Sequence, residues 1–288
     1  MMEALPGDSA YRVAAGRYGY DIMDAQAAEA VREELGLDQP LLHRLGRWMK
    51  QLTTLDLGNS MVSGEPVWHE VSTQLRASLA LAVAAVTMSL LIAIPIGFFS
   101  GMRTGGFFDR LTLGFSILVR SIPAFALGVV LMLFFAVQLK ILPVAGYGEA
   151  RHFVLPALAL GLSLAAVSNR VIRDAVASAM KSTWYQFSRN KGLEQSTTIR
   201  RHVARNVAAP TVAYIGVQLA FLIEGVVIIE SVFSWPGIGH ALVHAIFERD
   251  VPMVQGTALT LGLIFVVLNL LVDLLCQLID PRAAETAL

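Results

Sequence analysis

Cysteine is nearly absent from this chain. Cys276 stands alone inside the last apolar run, so no intrachain disulfide and no cysteine-rich metal site can form. Its plain reading is a small buried hydrophobe. Charge is scarce as well, at 15% of 288 residues, where a soluble chain carries about a quarter. No G-x-x-x-x-G-K-[ST] loop occurs, which excludes ATP hydrolysis by the chain itself. No nucleophile–base pair and no metalloprotease signature is present, so the chain is read as a non-enzyme without catalytic residues, metal or cofactor. The first twenty residues hold no apolar stretch of the kind that opens a secreted chain.

What fills the space is apolar sequence, 55% of the whole. Ala77 to Met102 and Phe153 to Asn169 carry no charge; Leu111 to Leu139 carries only Arg120, Asn206 to Ile229 only Glu224, and Val251 to Ile279 only Asp273. Each run approaches or exceeds the ~20 residues a helix needs to cross a bilayer. The pattern predicts an all-α, polytopic membrane protein with spans at about 77–101, 111–139, 153–172, 206–229 and 254–279. The net charge of zero hides an asymmetry. Residues 1–74 hold eleven acids and six bases, whereas residues 75–288 hold eleven acids and sixteen bases. The first segment reads as polar and extramembranous, the remainder as membrane-embedded with basic loops.

The most basic loop lies at 174–205. Arg173, Lys181, Arg189, Lys191, Arg200, Arg201 and Arg205 are opposed there only by Asp174 and Glu194. Positive charge concentrated in a loop places it in the cytoplasm. Arg103 and Arg110 put the 101–110 loop on the same side, and Arg282 puts the tail, 283–288, there too. Residues 1–74 then fall outside the cell, which predicts a transmembrane helix upstream of Met1. Within the basic loop, Asn190-Lys191-Gly192-Leu193 can end one helix and start another. A folded basic loop of about thirty residues is long for a connector and reads as a docking surface for a cytoplasmic partner. Contact with anionic lipid headgroups is the plainer reading.

Other features carry both a structural and a functional reading. Ser121-Ile122-Pro123 interrupts the second run directly after Arg120 and predicts a kink, either structural or lining a pathway. Glu224 and Glu230 lie in and at the end of the fourth run; ionisable groups there face a cavity or a partner, and Glu224 has Arg120 or Arg170 as candidate partners. Gly97 and Gly101 form a small-xxx-small spacing that lets helices approach. Ser234-Trp235-Pro236-Gly237 is a turn by composition. His240 and His244 have an i,i+4 spacing that fits a metal, but no third ligand is evident and a surface pair is the plainer reading.

Many short motifs in order resemble one family. Gly36-Leu37-Asp38-Gln39-Pro40-Leu41, Trp48 and Asp56-Leu57-Gly58-Asn59-Ser60 are followed by Ser121-Ile122-Pro123, Leu142-Pro143, Gly146-Tyr147-Gly148 and Leu155-Pro156-Ala157. Lys191-Gly192-Leu193, Arg201-His202-Val203-Ala204-Arg205-Asn206, Glu230 to Gly239 and Asp280-Pro281-Arg282 complete the series. It is similar to the permease subunits of dipeptide, oligopeptide and nickel ABC importers, from about residue 6 to 282. The resemblance implies a type I ABC importer permease fold in a bacterial inner membrane, with a cytoplasmic carboxyl terminus. It implies as partners a second homologous permease, two ATP-binding-cassette ATPases, a periplasmic solute-binding protein and lipid, with no nucleic acid. It assigns ATPase coupling to Trp184, Phe187, Arg189, Lys191, Gly192, Leu193, Arg200 and Arg201. Pathway or gate candidates are Arg120, Ser121, Pro123, Glu224, Glu230, Trp235, Pro236 and Gly237. Two departures stand out: Pro6-Gly7-Asp8 lies almost at the start, where the family places it after a first helix, and Ser188-Arg189-Asn190 replaces the family's small residues before Lys-Gly. Peptide import is the expected function, with nickel or another small solute as the alternative. A proton-coupled transporter using Glu224 and Asp273, or an inactive truncated remnant, are readings from other classes.

Overall fold

The computed structural model describes residues 8–19, 25–35, 43, 46, 49, 53–54 and 56–279, apart from the side chains of 220, 221, 223, 224 and 279. Gly36 to Leu41, Trp48, the Asp280-Pro281-Arg282 motif, the tail and the Glu224 side chain lie outside the described residues. Every regular element among the described residues is helical, and the one β contact is an isolated bridge between Asn59 and Pro66. The chain divides into two compact units. One joins residues 1–78 to 236–263; the other joins 79–235 to 264–288.

The first unit opens with α1 (Ser9–Tyr18) and α2 (Ala25–Leu35). The Asp8 carboxylate accepts from Ala10 N at 2.9 Å and caps α1. Val13, Ala14 and Val31 are buried together. Arg17 pairs with Glu34 at 2.7 Å and Arg32 with Asp8 at 2.6 Å. From the far end of the sequence come α10 (Ile238–Glu248) and the start of α11 (Val251–Ile279). Between them Asp250, buried, accepts from Ser60 Oγ at 2.5 Å and from Met253 N at 3.2 Å. It therefore caps α11 and holds the 56–66 segment with the same carboxylate. Ser78 Oγ accepts from Ile238 N at 2.8 Å and does the same for α10.

The second unit contains most of α3 (Val67–Met102), then α4 (Phe107–Arg120) and α5 (Ala124–Leu131), which continues into a π-helical stretch, Met132–Gln138. After these come α6 (Ala150–Lys181), α7 (Thr183–Asn190), α8 (Gln195–Thr198) and α9 (Ala204–Val232). Helices α3, α6 and α11 are long and apolar enough to cross a membrane, and α4 with α5 passes only as a pair bent by 100°. The fourth apolar run lies in α9. Pro123 opens α5 because it needs no amide partner at a helix start, so the kink expected from Ser121-Ile122-Pro123 is a full break.

Many large apolar side chains of this unit, such as Phe115 and Ile117, point outward, although Leu81, Leu155, Phe233 and Trp235 fill its interior. An outer surface so rich in apolar side chains fits lipid as the outer solvent. Gly97 and Gly101 let α3 lie directly on α6. A Cβ at Gly97 would stand 2.5 Å from Asn169 O, and one at Gly101 2.6 Å from Arg173 O. Polar side chains bridge the helices: Asn169 Nδ2 donates to Ser116 Oγ at 2.9 Å, and Gln218 Nε2 to Ser168 Oγ at 2.6 Å. The strongest tie is ionic. Asp109, 5% exposed, accepts from Arg173 Nη2 at 2.7 Å and Nε at 3.1 Å, from Arg170 Nη1 at 3.2 Å and from Gly105 N at 2.8 Å. Arg173 also reaches Asp174 at 2.6 Å. Arg170, a candidate partner of Glu224, is therefore bound to Asp109.

Three substitutions test this packing. Gly101→Ala forces α3 off α6 and lowers stability by about 1–3 kcal/mol in detergent, as overpacking does. Gly114→Ala, where the space is open, raises helix propensity by up to about 1 kcal/mol and is neutral or stabilising. Asp109→Ala leaves two partly buried guanidinium groups without their shared anion and costs about 3 kcal/mol. Thermal unfolding of the purified variants reads all three.

Candidate functional site

The basic loop is a small folded module. Helix α6 ends at Lys181, and Ser182 turns the chain; its hydroxyl accepts from Tyr185 N at 3.4 Å and caps α7. The α7 helix stops at Asn190, and Gly192 takes φ +83°, a left-handed conformation that a side chain would strain. Leu193 N then donates to Ser188 O at 3.3 Å, and Arg189 Nη1 to Leu193 O at 2.7 Å, which locks the reversal. The chain returns through α8 and a π-helical stretch, Ile199–Val203, into α9. Tyr185, Val203 and Ala179 are buried under the module, with Met180, Ile199 and Val207 packed on them.

This core sorts the predicted coupling residues. Trp184 turns inward, half-buried, with its ring near Tyr185 and His202. Phe187, Arg189, Lys191, Gly192, Leu193, Arg200 and Arg201 all face solvent. Phe187 is 60% exposed, and the Lys191 ammonium stands 4.5 Å from its ring centroid. The result is a convex surface with two apolar side chains, Phe187 and Leu193, set among four cations.

The pathway candidates separate into three places. Arg120 ends α4 and Pro123 precedes α5; Ser121 Oγ donates back to Ile117 O at 2.8 Å. Beside this break lies a cavity of about 320 Å³, lined by Arg120, Ile122, Phe125, Leu160, Ser163 and Leu222 among others. Glu230 and Trp235, in contrast, are core residues. Glu230 is buried and its carbonyl accepts from Trp235 N at 2.8 Å. Trp235 packs edge-on against Phe153 at 4.4 Å and Tyr147 at 4.8 Å.

Pro236 and Gly237 belong to the first unit and line a cavity of about 270 Å³ with Glu70, His240, His244 and Glu248. The His240 and His244 rings meet edge-on at 4.5 Å. Burial, and secondarily the His244 charge, lowers the His240 pKa. Burial raises that of Glu248; His244 pulls it down, while Asp250 and Glu70 push it further up. No group of three or more His, Cys, Asp or Glu among the described residues is placed to hold a metal ion.

Sequence reasoning missed Asp109, Asp250 and the Gln218–Ser168 bridge. Arg170 and Arg173, three apart on one helix face, were the available signal for Asp109. Asp250 directly before Val251-Pro252 was a helix-start signal, though its bond to Ser60 has no local signature.

Comparison with known proteins gives the functional class. Residues 93–285 match the family described as binding-protein-dependent transport system inner membrane component. The chain is 38% identical over 277 residues to the glutathione transport system permease protein GsiC of Pectobacterium atrosepticum, covering 96% of this chain and 89% of that one. Its counterpart in Escherichia coli strain K12 is 35% identical over the same span. Two solved structures share the fold. One is an amino acid ABC transporter crystallised with histidines (TM-score 0.54, 17% identity, 74% of this chain and 94% of that one). The other is the MetNI methionine ABC transporter in inward-facing conformations (TM-score 0.55, 16% identity, 73% and 96%). These matches make the protein a multi-pass inner-membrane permease of an ABC importer, a transport subunit that works with ATPase and substrate-binding components. The chain belongs to the family of inner membrane components of binding-protein-dependent transport systems.

Proposed function

We propose that this permease carries small peptides, of the glutathione or dipeptide class, across the inner membrane. The observation that supports this solute class is the identity of over a third to permeases named for glutathione, along nearly the whole chain. Glutathione is a tripeptide with two carboxylates, so small acidic peptides define the test set. The importer would comprise this chain, a second homologous permease, two ATPases and a periplasmic binding protein.

In this assembly the 182–203 module is the cytoplasmic coupling element. An element that transmits motion must be rigid and must present something to grip. The buried Tyr185 and Val203 supply the rigidity, and the exposed Phe187, Arg189, Lys191 and Leu193 supply the grip. A loop that only touched lipid headgroups would gain nothing from its own core. The carboxyl terminus lies on the same, cytoplasmic face, and residues 1–74 and the α10 region lie outside, where a binding protein delivers its solute. Arg120, Ser121 and Pro123 face the pathway.

Phe187→Asp combined with Lys191→Glu reverses the character of the docking surface without touching a buried group. With the partner subunits co-expressed, uptake of labelled glutathione or dipeptide falls more than about tenfold, since exposed aromatic and cationic anchors dominate such contacts. The ATPase no longer co-purifies, while the thermal midpoint of the permease is unchanged. Undiminished ATPase binding in this variant would remove the coupling role. Uptake of nickel in place of either peptide would reassign the solute.

A further inference from the structure

Arg120 is an exposed charged side chain at the edge of a largely apolar cavity. It lies ten residues into the second apolar run, at the break between α4 and α5. The cavity beside it is walled by Ile122, Phe125, Leu160 and Leu222, with the Ser163 hydroxyl as a second polar group. Arg120 is the only charged side chain among the described residues that line it. No ion pair or side-chain hydrogen bond holds its guanidinium among the described residues. Arg170 and Arg173, in the same unit, behave differently, since both close on Asp109. An ionised group kept unpaired at membrane depth is costly, and such groups mark solute pathways.

We propose that Arg120 receives a carboxylate of the transported solute and selects for acidic or carboxyl-terminated solutes at this point of the pathway. This rests on the peptide-import reading above. A guanidinium presents two parallel N–H donors that match the two oxygens of a carboxylate. The apolar wall strengthens that contact by excluding water. The cavity volume, about 320 Å³, is at the small end for ligand sites, so it takes one end of a small peptide. Ser163 stands in the lining to accept or donate a further bond to the same end. The permease would thereby add selectivity to that of the binding protein.

The test uses the assembled importer, purified with its partner subunits in lipid nanodiscs. Binding of Ala-Ala, of its carboxyl-terminal amide, of glutathione and of succinate is measured on wild type, Arg120→Gln and Arg120→Lys. A charge-assisted pair predicts that wild type binds Ala-Ala about tenfold or more tighter than the amide. Arg120→Gln erases this preference by weakening the acid alone, and Arg120→Lys retains part of it. Equal weakening of acid and amide, or no change, overturns the proposal. So does failure of Arg120→Gln to co-purify with the second permease, because Arg120 would then bind an acid of that subunit. If neither peptide binds wild type but succinate does so through Arg120, the peptide reading fails and the carboxylate site stands. If no carboxylate distinguishes wild type from Arg120→Gln, the site itself is overturned.

Discussion

The apolar unit depends on how one carboxylate is shared. Asp109 sits at the start of α4 and takes three hydrogen bonds from two arginines one turn apart on α6. A buried anion of this kind costs several kcal/mol to desolvate, and only good geometry offsets it. Here the geometry is good: Arg173 approaches with two nitrogens, Arg170 with a third, and Gly105 N with a backbone donor. The cluster therefore specifies register. Sliding α4 by one residue along α6 would strip Asp109 and Arg170 of their ion-pair partners and Arg173 of one of its two, whereas sliding apolar surfaces in lipid changes little. The small-residue contact of α3 at Gly97 and Gly101 meets α6 over the same stretch, 169–176. Two independent devices thus position the same segment of α6.

That segment leads into the coupling module. From Leu160, beside the cavity, to Lys181, at the end of α6, there are twenty-one helical steps, about 30 Å at 1.5 Å per residue. The cavity, the Asp109 cluster and the root of the 182–203 module are therefore carried on one helix. A helix clamped by ion pairs in its middle moves as a body and cannot fray from its loop end. Motion imposed at α7 and motion at the cavity are then displacements of one object. Tyr185 and Val203 extend that stiffness past Ser182, where the backbone leaves the helix.

Much of this was legible in the residues. Four of the five apolar runs lie within single helices and the second in the broken α4–α5 pair, because a backbone in lipid must satisfy its own hydrogen bonds. Gly192 was readable as a turn, since a Gly after a basic helix end is the usual left-handed stop. Gly97 and Gly101 gave a weak signal that the packing made strong. What the residues did not reveal is tertiary. Trp184 was grouped with the docking residues by resemblance, and it is half-buried against Tyr185 and His202 in the module's core. Trp235 and Glu230 sit in a turn-rich motif that suggested a gate, yet aromatic contacts with Phe153 and Tyr147 bury the ring completely. The joining of residues 1–78 to 236–263 rests on Ser60–Asp250 and Ser78–Ile238 bonds, which link positions far apart in sequence and leave no periodicity to detect.

The arrangement of charge separates structure from function within the apolar unit. Nature tolerates a buried ion when its partners come with the fold, and Asp109 with Arg170 and Arg173 meets that condition. Arg120, exposed at the end of α4, has no such partner among the described residues: a break of 100° lies beside it, and the described cavity walls offer no anion. A kink required only for packing would be satisfied by Pro123 alone, since proline ends the donor ladder without any charge. Placing an arginine at the break adds a charge that packing does not need. In a subunit that passes a solute, a solute carrying an anion would use that charge, so Arg120, rather than the buried Glu230, is the charge that the proposal follows through the pathway.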